Sequence, residues 1–459
     1  MRELSIFAAA EEAPTAPCLV DEGRTWSFSE MAARASSAIE ILNARGVEAG
    51  QRVALTPRVH VDSVVWLYAL FEAGSPALLV HPRLTPRERD VLLEGGRADY
   101  VIDEAAPHAR AEPNPISKDV PAERTLAVVY TSGSRGTPRG AELSRRAFVE
   151  SARAHAANLG WIPGDRWLLG MPPAHVGGLS ILTRSLIARR TVVLAPGRFE
   201  PLLVAERMAR EGVTLLSVVP TMLQRLLDLD PPWVPHPELR AVLVGGAPLS
   251  PTLRRRAVER AVPALATYGC TEACSQIATQ NLTQVGESGC GAPLAGVDLR
   301  IERGEIQVRG DMLMRGYLGG DEASDTWTHD GWLRTGDCGE FLSGGQLQVL
   351  GRLDDVIVTG GENVSPQEVE SWLETIPGVS SACVFGTPDA EWGELVAAAI
   401  VIDPSRYDRE RLRTSMDEEL AGHKRPRRIA VLDALPLNRS GKVDRALVVS
   451  DAEAHLEPI

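Results

Sequence analysis

The chain is poor in several features that would mark a secreted or membrane protein. Its 459 residues hold only six cysteines, without CxxC spacing or a dense disulfide framework, so we expect reduced thiols. No apolar run approaches the roughly 20 residues that cross a bilayer, which argues against membrane insertion. The opening residues, MRELSIFAAAEE, turn acidic after a short apolar run and do not resemble a secretory leader. We therefore expect a cytoplasmic protein.

Basic charge is also in short supply. Lysine and arginine number 48 against 61 aspartates and glutamates, a formal net charge of -13. Binding to nucleic acid needs a basic surface, so this balance argues against a nucleic-acid partner. Any anionic ligand has to be met by locally placed positive charge. The length exceeds what one hydrophobic core normally supports and predicts at least two domains.

Helical patterns alternate with short apolar strands through most of the chain. The helical stretch SEMAARASSAIEILNARG is followed by strand patterns such as RVALTP, TLAVVYT and AVLVGG. This alternation predicts an α/β fold, with a large N-terminal domain of mixed and parallel sheets flanked by helices. From about Gly289 the pattern changes to shorter strand-like pieces, including EIQVRG and QLQVLG, which predict a β-rich subdomain.

A second, smaller domain is predicted after the charged, glycine-rich stretch GRLDDVIVTGGENVSP. The stretch is followed by a helical pattern, PQEVESWLETI, two strand patterns, SACVFG and LVAAAIVI, and another helical pattern. We therefore divide the chain into an N-terminal domain of residues 1–353 and a small α+β domain of residues 354–459.

The stretch YTSGSRGTPRG, residues 130–140, follows the apolar strand LAVV and suits a phosphate. Glycines let the backbone approach an anion closely, and hydroxyls and free amides donate hydrogen bonds to its oxygens. The P-loop pattern GxxxxGK[ST] is absent. Taken alone, the same residues equally suit a plain surface turn. The candidate phosphate ligands are Thr131, Ser132, Gly133, Ser134, Gly136, Thr137 and Arg139.

This loop resembles the phosphate-binding signature TSGTTGxPKG of the adenylate-forming superfamily, which includes acyl-CoA and aryl-CoA synthetases, luciferases and peptide-synthetase adenylation domains. Ser134 and Arg135 stand where that signature has threonines, and Arg139 stands where it has lysine. Arginine keeps the positive charge, but its guanidinium is bulkier and donates differently.

Further stretches match the same superfamily in the same order. By resemblance, YGCTE places Tyr268 against adenine, Thr271 on phosphate and Glu272 on magnesium. The stretch LVGGAPLS resembles another wall of the adenine pocket, formed by Gly246, Ala247 and Pro248. TGD and GRLDD imply that Asp337 and Arg352 hold the ribose hydroxyls, and LPLNRSGKVDR implies that Lys442 enters the active site during adenylation.

The resemblance implies a reaction in two halves. A carboxylate and ATP first give an acyl-adenylate and pyrophosphate, with Mg²⁺ as cofactor. The thiol of coenzyme A then attacks the adenylate after the small domain has rotated about a hinge at Asp354. Gly361 is implied to border the thiol tunnel, and we expect Lys424 and Arg425 to meet coenzyme A phosphates.

Two stretches, TEACSQIAT at 271–279 and PPAHVGGLSILTRSL at 172–186, resemble the o-succinylbenzoate-CoA ligases of menaquinone biosynthesis. Their substrate has two carboxylates, of which one stays unreacted and needs a cation or strong donors. The resemblance assigns that task to Arg184, and the acyl pocket also to His175, Gly269, Ser275 and Gln276. Alternative structural interpretations stay open: a surface position for Arg184, a hydrogen-bonded structural histidine for His175, and partners of buried backbone for Ser275 and Gln276.

Departures from the subfamily pattern keep other functions open. Cys270, Ala273 and the pair Gly177–Gly178 differ from the more usual residues, so a benzoate-like or other aryl or acyl acid is the second substrate hypothesis. An adenylation enzyme that loads a carrier-protein thiol is a further alternative. So is a regulator that binds nucleotide without catalysis, although retention of Glu272 and Lys442 argues against it. Similar enzymes occur as dimers and larger assemblies, so a homo-oligomer is also open.

Overall fold

The computed structural model describes residues 2–109, 120–131, 138–195, 197, 199–320, 326–438 and 441–459. Of the candidate phosphate ligands, Thr131 and Arg139 lie within these ranges. The others lie outside the described residues: Ser132, Gly133, Ser134, Gly136 and Thr137.

Two mixed sheets make up the larger part of the molecule. Their strands are β1 (Pro17–Asp21), β2 (Arg24–Ser27), β3 (Val53–Leu55), β4 (Ala77–Leu79), β5 (Tyr100–Ile102), β6 (Thr125–Thr131), β7 (Arg139–Ser144), β8 (Arg166–Leu169), β9 (Thr191–Leu194), β10 (Leu215–Val218), β11 (Ala241–Val244), β12 (Ala264–Tyr268) and β13 (Ala278–Thr279). The eight-stranded sheet has the order β13-β12-β11-β10-β8-β9-β1-β2, and the five-stranded sheet has the order β5-β3-β4-β6-β7. Both are parallel except at their edges, where β2, β13 and β7 run antiparallel.

Helices cover the faces of both sheets. They are α1 (Ile6–Glu12), α2 (Phe28–Ala44), α3 (Val61–Ala73), α4 (Pro86–Gly95), α5 (Arg145–Leu159), α6 (Val176–Ala188), α7 (Pro201–Glu211), α8 (Pro220–Leu227) and α9 (Pro251–Glu259). Local sequence explains several starts. Ser27 and Thr85 form capping boxes with Glu30 and Glu88, which satisfy the free amides at the first turns of α2 and α4.

The main hydrophobic core lies between the two sheets. It joins side chains of the eight-stranded sheet, such as Leu194, to side chains of the five-stranded sheet, such as Val129, through central helices that carry Trp66, Phe148 and Leu182. A second core covers the outer face of the larger sheet, and a small one covers the outer face of the five-stranded sheet. The central helices are therefore buried on both sides, which explains why α3 reads as an almost continuous apolar run.

A four-stranded antiparallel sheet follows and confirms the predicted β-rich subdomain. Its strands are β14 (Asp298–Glu302), β15 (Glu305–Arg309), β16 (Leu333–Phe341) and β17 (Leu347–Arg352), paired in chain order. The bonded edge of β16 and β17 places Asp337 opposite Arg352. Two predicted nucleotide ligands are therefore neighbours because of strand register.

The C-terminal part has its own sheet and its own small cores. Its strands are β18 (Ile357–Thr359), β19 (Glu362–Val364), β20 (Val379–Asp389), β21 (Gly393–Ile402), β22 (Arg428–Val431) and β23 (Glu457–Pro458), and its helices are α10 (Pro366–Leu373), α11 (Arg409–Glu419) and α12 (Arg445–Ala452). Side chains of these elements pack in two separate clusters. The chain changes sheets between Arg352 and Ile357.

The structure agrees with the predicted fold class, and it adds elements that the patterns did not reveal. The strand β7 pairs antiparallel with β6, so the candidate phosphate loop connects the two strands of a hairpin rather than a strand and a helix. Among the described residues, no helix combines the length and apolarity that crossing a membrane requires.

We predict that Asp165 is a main stabilising side chain of the larger sheet. Its carboxylate has no exposed area and accepts hydrogen bonds from Arg240, at 2.6 Å and 2.9 Å, and from Thr214, at 2.8 Å. Burial alone would raise the pKa of Asp165, but these donors bring it below its ordinary value. Asp165→Ala should lower the free energy of unfolding by about 3 kcal/mol, measured by urea denaturation, because Arg240 loses its partner.

The matched control is Asp298→Ala. Asp298 pairs with Arg309 at 2.9 Å, but both side chains are more than half exposed, so its loss should cost less than about 1 kcal/mol. Equal losses for the two variants would contradict the assignment.

Candidate active site

Three predicted segments lie at one edge of the eight-stranded sheet. The strands β8, β10, β11 and β12 run parallel, so the segments that follow them meet at their carboxyl ends. This edge is where open α/β sheets bind ligands. The segment after β8 leads to His175, that after β11 contains Gly246, and that after β12 contains Glu272.

Tyr268, Asp337 and Arg352 form one hydrogen-bonded group. The Tyr268 hydroxyl donates to Asp337 Oδ2 at 2.7 Å, and Arg352 Nη1 donates to Asp337 Oδ1 at 3.1 Å. Burial raises the pKa of Asp337 above its ordinary value, although Arg352 and the Tyr268 hydroxyl favour the ionised form. The group therefore presents an aromatic ring and a paired carboxylate together, as a nucleoside requires.

Glu272 lies in a short 3₁₀ turn, Thr271–Ala273, just after β12. The Tyr317 hydroxyl donates to Glu272 Oε1 at 2.5 Å, and the Arg139 guanidinium lies 3.8 Å from the centre of the Tyr317 ring. A guanidinium stacks flat on an aromatic ring better than an ammonium does, which gives a physical reason for arginine at this loop position. Tyr317 was not among the predicted site residues, although its glycine-flanked setting, MRGYLGG, was a signal.

Lys442 reaches this edge from the C-terminal part of the chain. Gly246 has φ +80°, and a Cβ atom there would lie 2.9 Å from Lys442 Cε and 3.4 Å from Nζ. A residue with a side chain at position 246 would therefore displace the lysine. Burial lowers the pKa of Lys442, whereas the nearby Asp337 carboxylate opposes this shift. The structure thus brings Gly246, Asp337, Arg352 and Lys442 together.

His175 is the residue before α6, and its ring centre lies 4.8 Å from that of His81. Burial, together with the positive potential of His81, Lys442 and Arg83, lowers the pKa of His175 to about 4. The imidazole is therefore neutral near pH 7. His81 was not among the predicted site residues, because a lone histidine before a turn carries no distinctive pattern.

Arg184 lies on α6 with 3% of its surface exposed. Its Nη2 donates to Ser151 Oγ at 2.9 Å, and Ser151 Oγ donates to the Cys274 carbonyl at 2.9 Å. Burial lowers the pKa of Arg184 to about 10. Its Nε is buried without a hydrogen-bond partner, and among the described residues no acidic side chain forms an ion pair with it. A buried guanidinium of this kind favours an anion.

The turn after Tyr268 depends on a glycine. A Cβ atom at Gly269 would lie 1.5 Å from the Ser275 carbonyl oxygen, so the chain folds back only because this side chain is absent. Gln276 then points inward. Its amide donates to Thr279 Oγ1 at 3.1 Å, and its Oε1 lies 3.0 Å from His155 Nδ1. Gln276 therefore makes the internal hydrogen bonds that are expected of a structural residue.

The other predicted residues lie at the end of a strand, in a 3₁₀ turn and in the turn after β11. Thr131 ends β6, and its hydroxyl donates to the Arg139 carbonyl at 3.4 Å. Asp354 is exposed in a 3₁₀ turn between β17 and β18. The remaining residues of the predicted adenine wall, Ala247 and Pro248, follow Gly246 in the same turn.

The residues predicted to meet coenzyme A are not free in this arrangement. Lys424 pairs with Glu368 at 2.6 Å, and Arg425 pairs with Asp417 at 2.6 Å. Gly361 is exposed in the hairpin between β18 and β19. A role in binding coenzyme A would require both ion pairs to open.

Comparison with known proteins agrees with this geometry. A model of the AMP-binding enzyme family matches residues 6–318, and one of the AMP-binding enzyme C-terminal domain matches residues 368–442. The chain belongs to the AMP-binding enzyme family. The two matches correspond to the part that contains both mixed sheets and to most of the C-terminal part.

Relatives of this AMP-binding enzyme match nearly its full length. It is 34% identical to 2-succinylbenzoate-CoA ligase of Bacillus subtilis over 473 residues, covering 96% of each chain. It is similar to the solved structure of o-succinylbenzoate-CoA synthetase from Bacillus subtilis with an acyl-adenylate intermediate, at 32% identity, 96% coverage of each chain and a TM-score of 0.87. The structure of that enzyme with ATP and magnesium gives a TM-score of 0.86 at 32% identity, covering 96% of this chain and 98% of the other.

We predict that neutral His175 makes stability depend on pH. Its pKa is about 4 in the folded protein and about 6.5 when exposed, so the unfolded state binds the proton more tightly. The stabilisation is present above pH 6.5 and is lost as the pH falls towards 4. Between pH 7 and pH 5, urea denaturation should show wild type losing about 2 kcal/mol more than His175→Gln.

His329→Gln serves as the control, because it removes an exposed imidazole. This variant should follow the wild-type dependence on pH. A His175→Gln variant that loses as much stability as wild type would refute the prediction.

Proposed function

We propose that the chain is an ATP-dependent ligase that converts o-succinylbenzoate and coenzyme A to o-succinylbenzoyl-CoA, with release of AMP and pyrophosphate. Membership of the AMP-binding enzyme family supports the reaction type. The observation that carries the substrate assignment is Arg184, a buried guanidinium for which the described residues offer no acidic partner. An aromatic acid with a second carboxylate supplies the missing charge.

The nucleotide is held at the edge of the eight-stranded sheet. Tyr268 packs against adenine, and the turn from Gly246 to Pro248 forms another wall. The Asp337 carboxylate, oriented by Arg352, accepts the ribose hydroxyls. Thr131, Arg139 and, by resemblance, the loop residues between them bind the phosphates. These roles rest on the resemblance and on the contacts between the described residues.

The donor set around Glu272 fits a magnesium ion that arrives with ATP. Among the described residues, no cluster of three or more histidine, cysteine or acidic side chains is suited to a metal. Mg²⁺ is usually held by one or two carboxylates together with substrate phosphates and water, so a single carboxylate is sufficient. Glu272 would hold it, with Tyr317 fixing the carboxylate, and Thr271 would contact phosphate. The ion would supply neutralisation of phosphate charge.

The residues of the chain then position the reactants and stabilise the charge that develops between them. In the first step the substrate carboxylate oxygen forms a bond to the α-phosphorus, while the bond from that phosphorus to the oxygen of pyrophosphate breaks. Two anions approach each other, so the half-buried Lys442 ammonium stabilises the developing charge. His175 is neutral and lines the carboxylate pocket without adding charge. No protein nucleophile is required.

In the second step the thiol of coenzyme A loses its proton to solvent and its sulfur bonds to the acyl carbon, while the bond from that carbon to the AMP oxygen breaks and AMP leaves. We assign this step to a rotated C-terminal domain, residues 354–459, that turns against residues 1–353 about Asp354. Gly361 then borders the thiol, and Lys424 and Arg425 meet coenzyme A phosphates once their ion pairs have opened. We also assign the enzyme to the cytoplasm, where its six free cysteines would stay reduced.

The acyl group lies between α6 and the turn after β12. Arg184 binds the carboxylate that does not react, and Ser275 and Gln276 complete the pocket next to the Gly269 turn. The hydrogen bond from Arg184 to Ser151 holds the guanidinium in place.

Arg184→Met should distinguish the substrate classes. The variant removes the charge and keeps an unbranched apolar side chain. We expect kcat/KM for o-succinylbenzoate, measured by pyrophosphate release, to fall about 100-fold, which corresponds to a lost hydrogen-bonded charge pair. The kcat/KM for benzoate should change less than about 3-fold.

Arg190→Met is the matched control, since Arg190 lies just beyond the same helix and is partly exposed. Equal losses for all acids in Arg184→Met would indicate a structural arginine. Wild type that is inert with o-succinylbenzoate and active with benzoate would overturn the substrate proposal but not the reaction type.

Lys442→Ala should separate the two half-reactions. We expect acyl-adenylate formation to fall at least 100-fold, because a charge next to the reacting phosphate is lost. Thioester formation from added acyl-adenylate and free coenzyme A should be retained. Undiminished adenylate formation would contradict the role of Lys442, and a thioester made only on a carrier protein would favour the carrier-loading alternative.

A further inference from the structure

We propose that Thr221 and Thr252 are positioning residues that dock the C-terminal part for the first half-reaction and so hold Lys442 at the nucleotide. The proposal rests on the proposed function, and it adds two residues that take no part in binding substrate. Each threonine uses its hydroxyl to hold a backbone carbonyl of the C-terminal part.

Thr221 holds the turn that carries the lysine. It lies in the first turn of α8, after β10, and its Oγ1 donates to the Gly441 carbonyl at 2.7 Å. Gly441 directly precedes Lys442, so the hydrogen bond acts one residue from the ammonium-bearing side chain. A Cβ atom at Gly441 would lie 3.5 Å from a methyl group of Val219, which shows that the turn packs closely on this part of the N-terminal sheets.

The described residues of the held turn are hydrogen-bonded to one another. Asn438 N donates to the Lys442 carbonyl at 2.7 Å, Gly441 N donates to the Asn438 carbonyl at 3.0 Å, and Lys442 N donates to Asn438 Oδ1 at 3.1 Å. These three hydrogen bonds tie Asn438 to Gly441 and to Lys442. Fixing the Gly441 carbonyl therefore fixes the start of the Lys442 side chain as well, and Gly246 leaves room for that side chain to pass.

Thr252 holds a second point of the C-terminal part. It lies in the first turn of α9, after β11, and its Oγ1 donates to the Glu374 carbonyl at 2.8 Å. Glu374 is the C-cap residue that follows α10, where carbonyls have no partner within the helix. Its carboxyl group is hydrogen-bonded to Ser250, and burial raises the pKa of Glu374 to about 7. The carboxyl group is therefore enclosed at this contact.

The two contacts come from neighbouring strands of one sheet. Because β10 and β11 are parallel and adjacent, α8 and α9 begin at the same sheet edge as the nucleotide site. Two separated hydrogen bonds fix the orientation of a rigid body better than one does, since a single bond leaves rotation about itself. Both break when the C-terminal part rotates away, so they favour only the docked orientation.

The hydroxyls should therefore matter for one half-reaction and not for the other. Loss of one hydrogen bond that exists only in the docked orientation shifts the docking equilibrium about 3- to 10-fold. Adenylate formation needs Lys442 docked and slows accordingly. Thioester formation needs it undocked, and is unchanged or slightly faster.

The test is Thr221→Val, which keeps the shape of the side chain and removes the hydroxyl. Single-turnover adenylate formation should fall about 3- to 10-fold, while the KM for ATP changes less than 2-fold and thioester formation from added acyl-adenylate is retained. Thr221→Ser should restore the rate. Thr252→Val should show the same asymmetry, and the double variant should lose more than either single one.

Thr414→Val is the control, because the Thr414 hydroxyl donates to Glu410 within α11 and not across the two parts. It should behave as wild type. Equal loss in both half-reactions, or no loss of adenylation in Thr221→Val and Thr252→Val, would overturn the proposal.

A readout without catalysis separates this proposal from the proposed function. Hydrogen exchange of the amides at 438 and 441, and of those in the first turn of α8, should quicken in Thr221→Val and not in Thr414→Val. Unchanged exchange would refute docking by Thr221. If wild type forms no adenylate with any acid while exchange quickens in Thr221→Val, the proposed function fails and the docking contact stands.

Discussion

An ammonium group near the end of the sequence has to be held, partly buried, at the carboxyl ends of strands that come from a much earlier part of the sequence. Lys442 meets this constraint next to Asp337, whose carboxylate favours the charged lysine while burial disfavours it. Several other features serve the same placement. Gly246 has no side chain where the lysine passes, Arg352 orients the carboxylate, and Thr221 holds the turn before the lysine.

A second buried cation has a different electrostatic setting. Arg184 is enclosed between α5, α6 and the turn after β12, with a serine hydroxyl as its partner rather than a carboxylate. Burying a charge without a counter-ion costs several kcal/mol, a cost that protein interiors normally avoid. The cost is understandable if an anionic ligand neutralises the charge, because binding then recovers part of the lost stability. The buried charge of Arg184 would then explain both the selectivity for a substrate with a second carboxylate and the lower stability of the protein without that substrate.

Local substitutions in the site also have physical explanations. The family signature has lysine where this chain has Arg139, and the guanidinium stacks on Tyr317, which in turn donates to Glu272. The exchange therefore couples the phosphate loop to the carboxylate through a flat contact that an ammonium would form less well. Conversely, Gln276 is engaged by Thr279 and His155, so its position follows from buried hydrogen bonds as much as from substrate.

The sequence by itself determined the fold class, the separate C-terminal part and the reaction type. The spacing of apolar residues indicates which faces of helices and strands are buried. Motifs such as YGCTE and LPLNRSGKVDR combine residue types that are typical of one reaction type. Tertiary structure decided which residues meet. Strand register places Asp337 opposite Arg352, the bridge of Tyr317 to Ala141 accompanies its hydrogen bond to Glu272, and the docking of one part on the other brings Lys442 to Gly246. Thr221, Thr252, His81 and Ser151 carry no sequence signal, because a lone hydroxyl or imidazole acquires its role only from a partner that is distant in the chain.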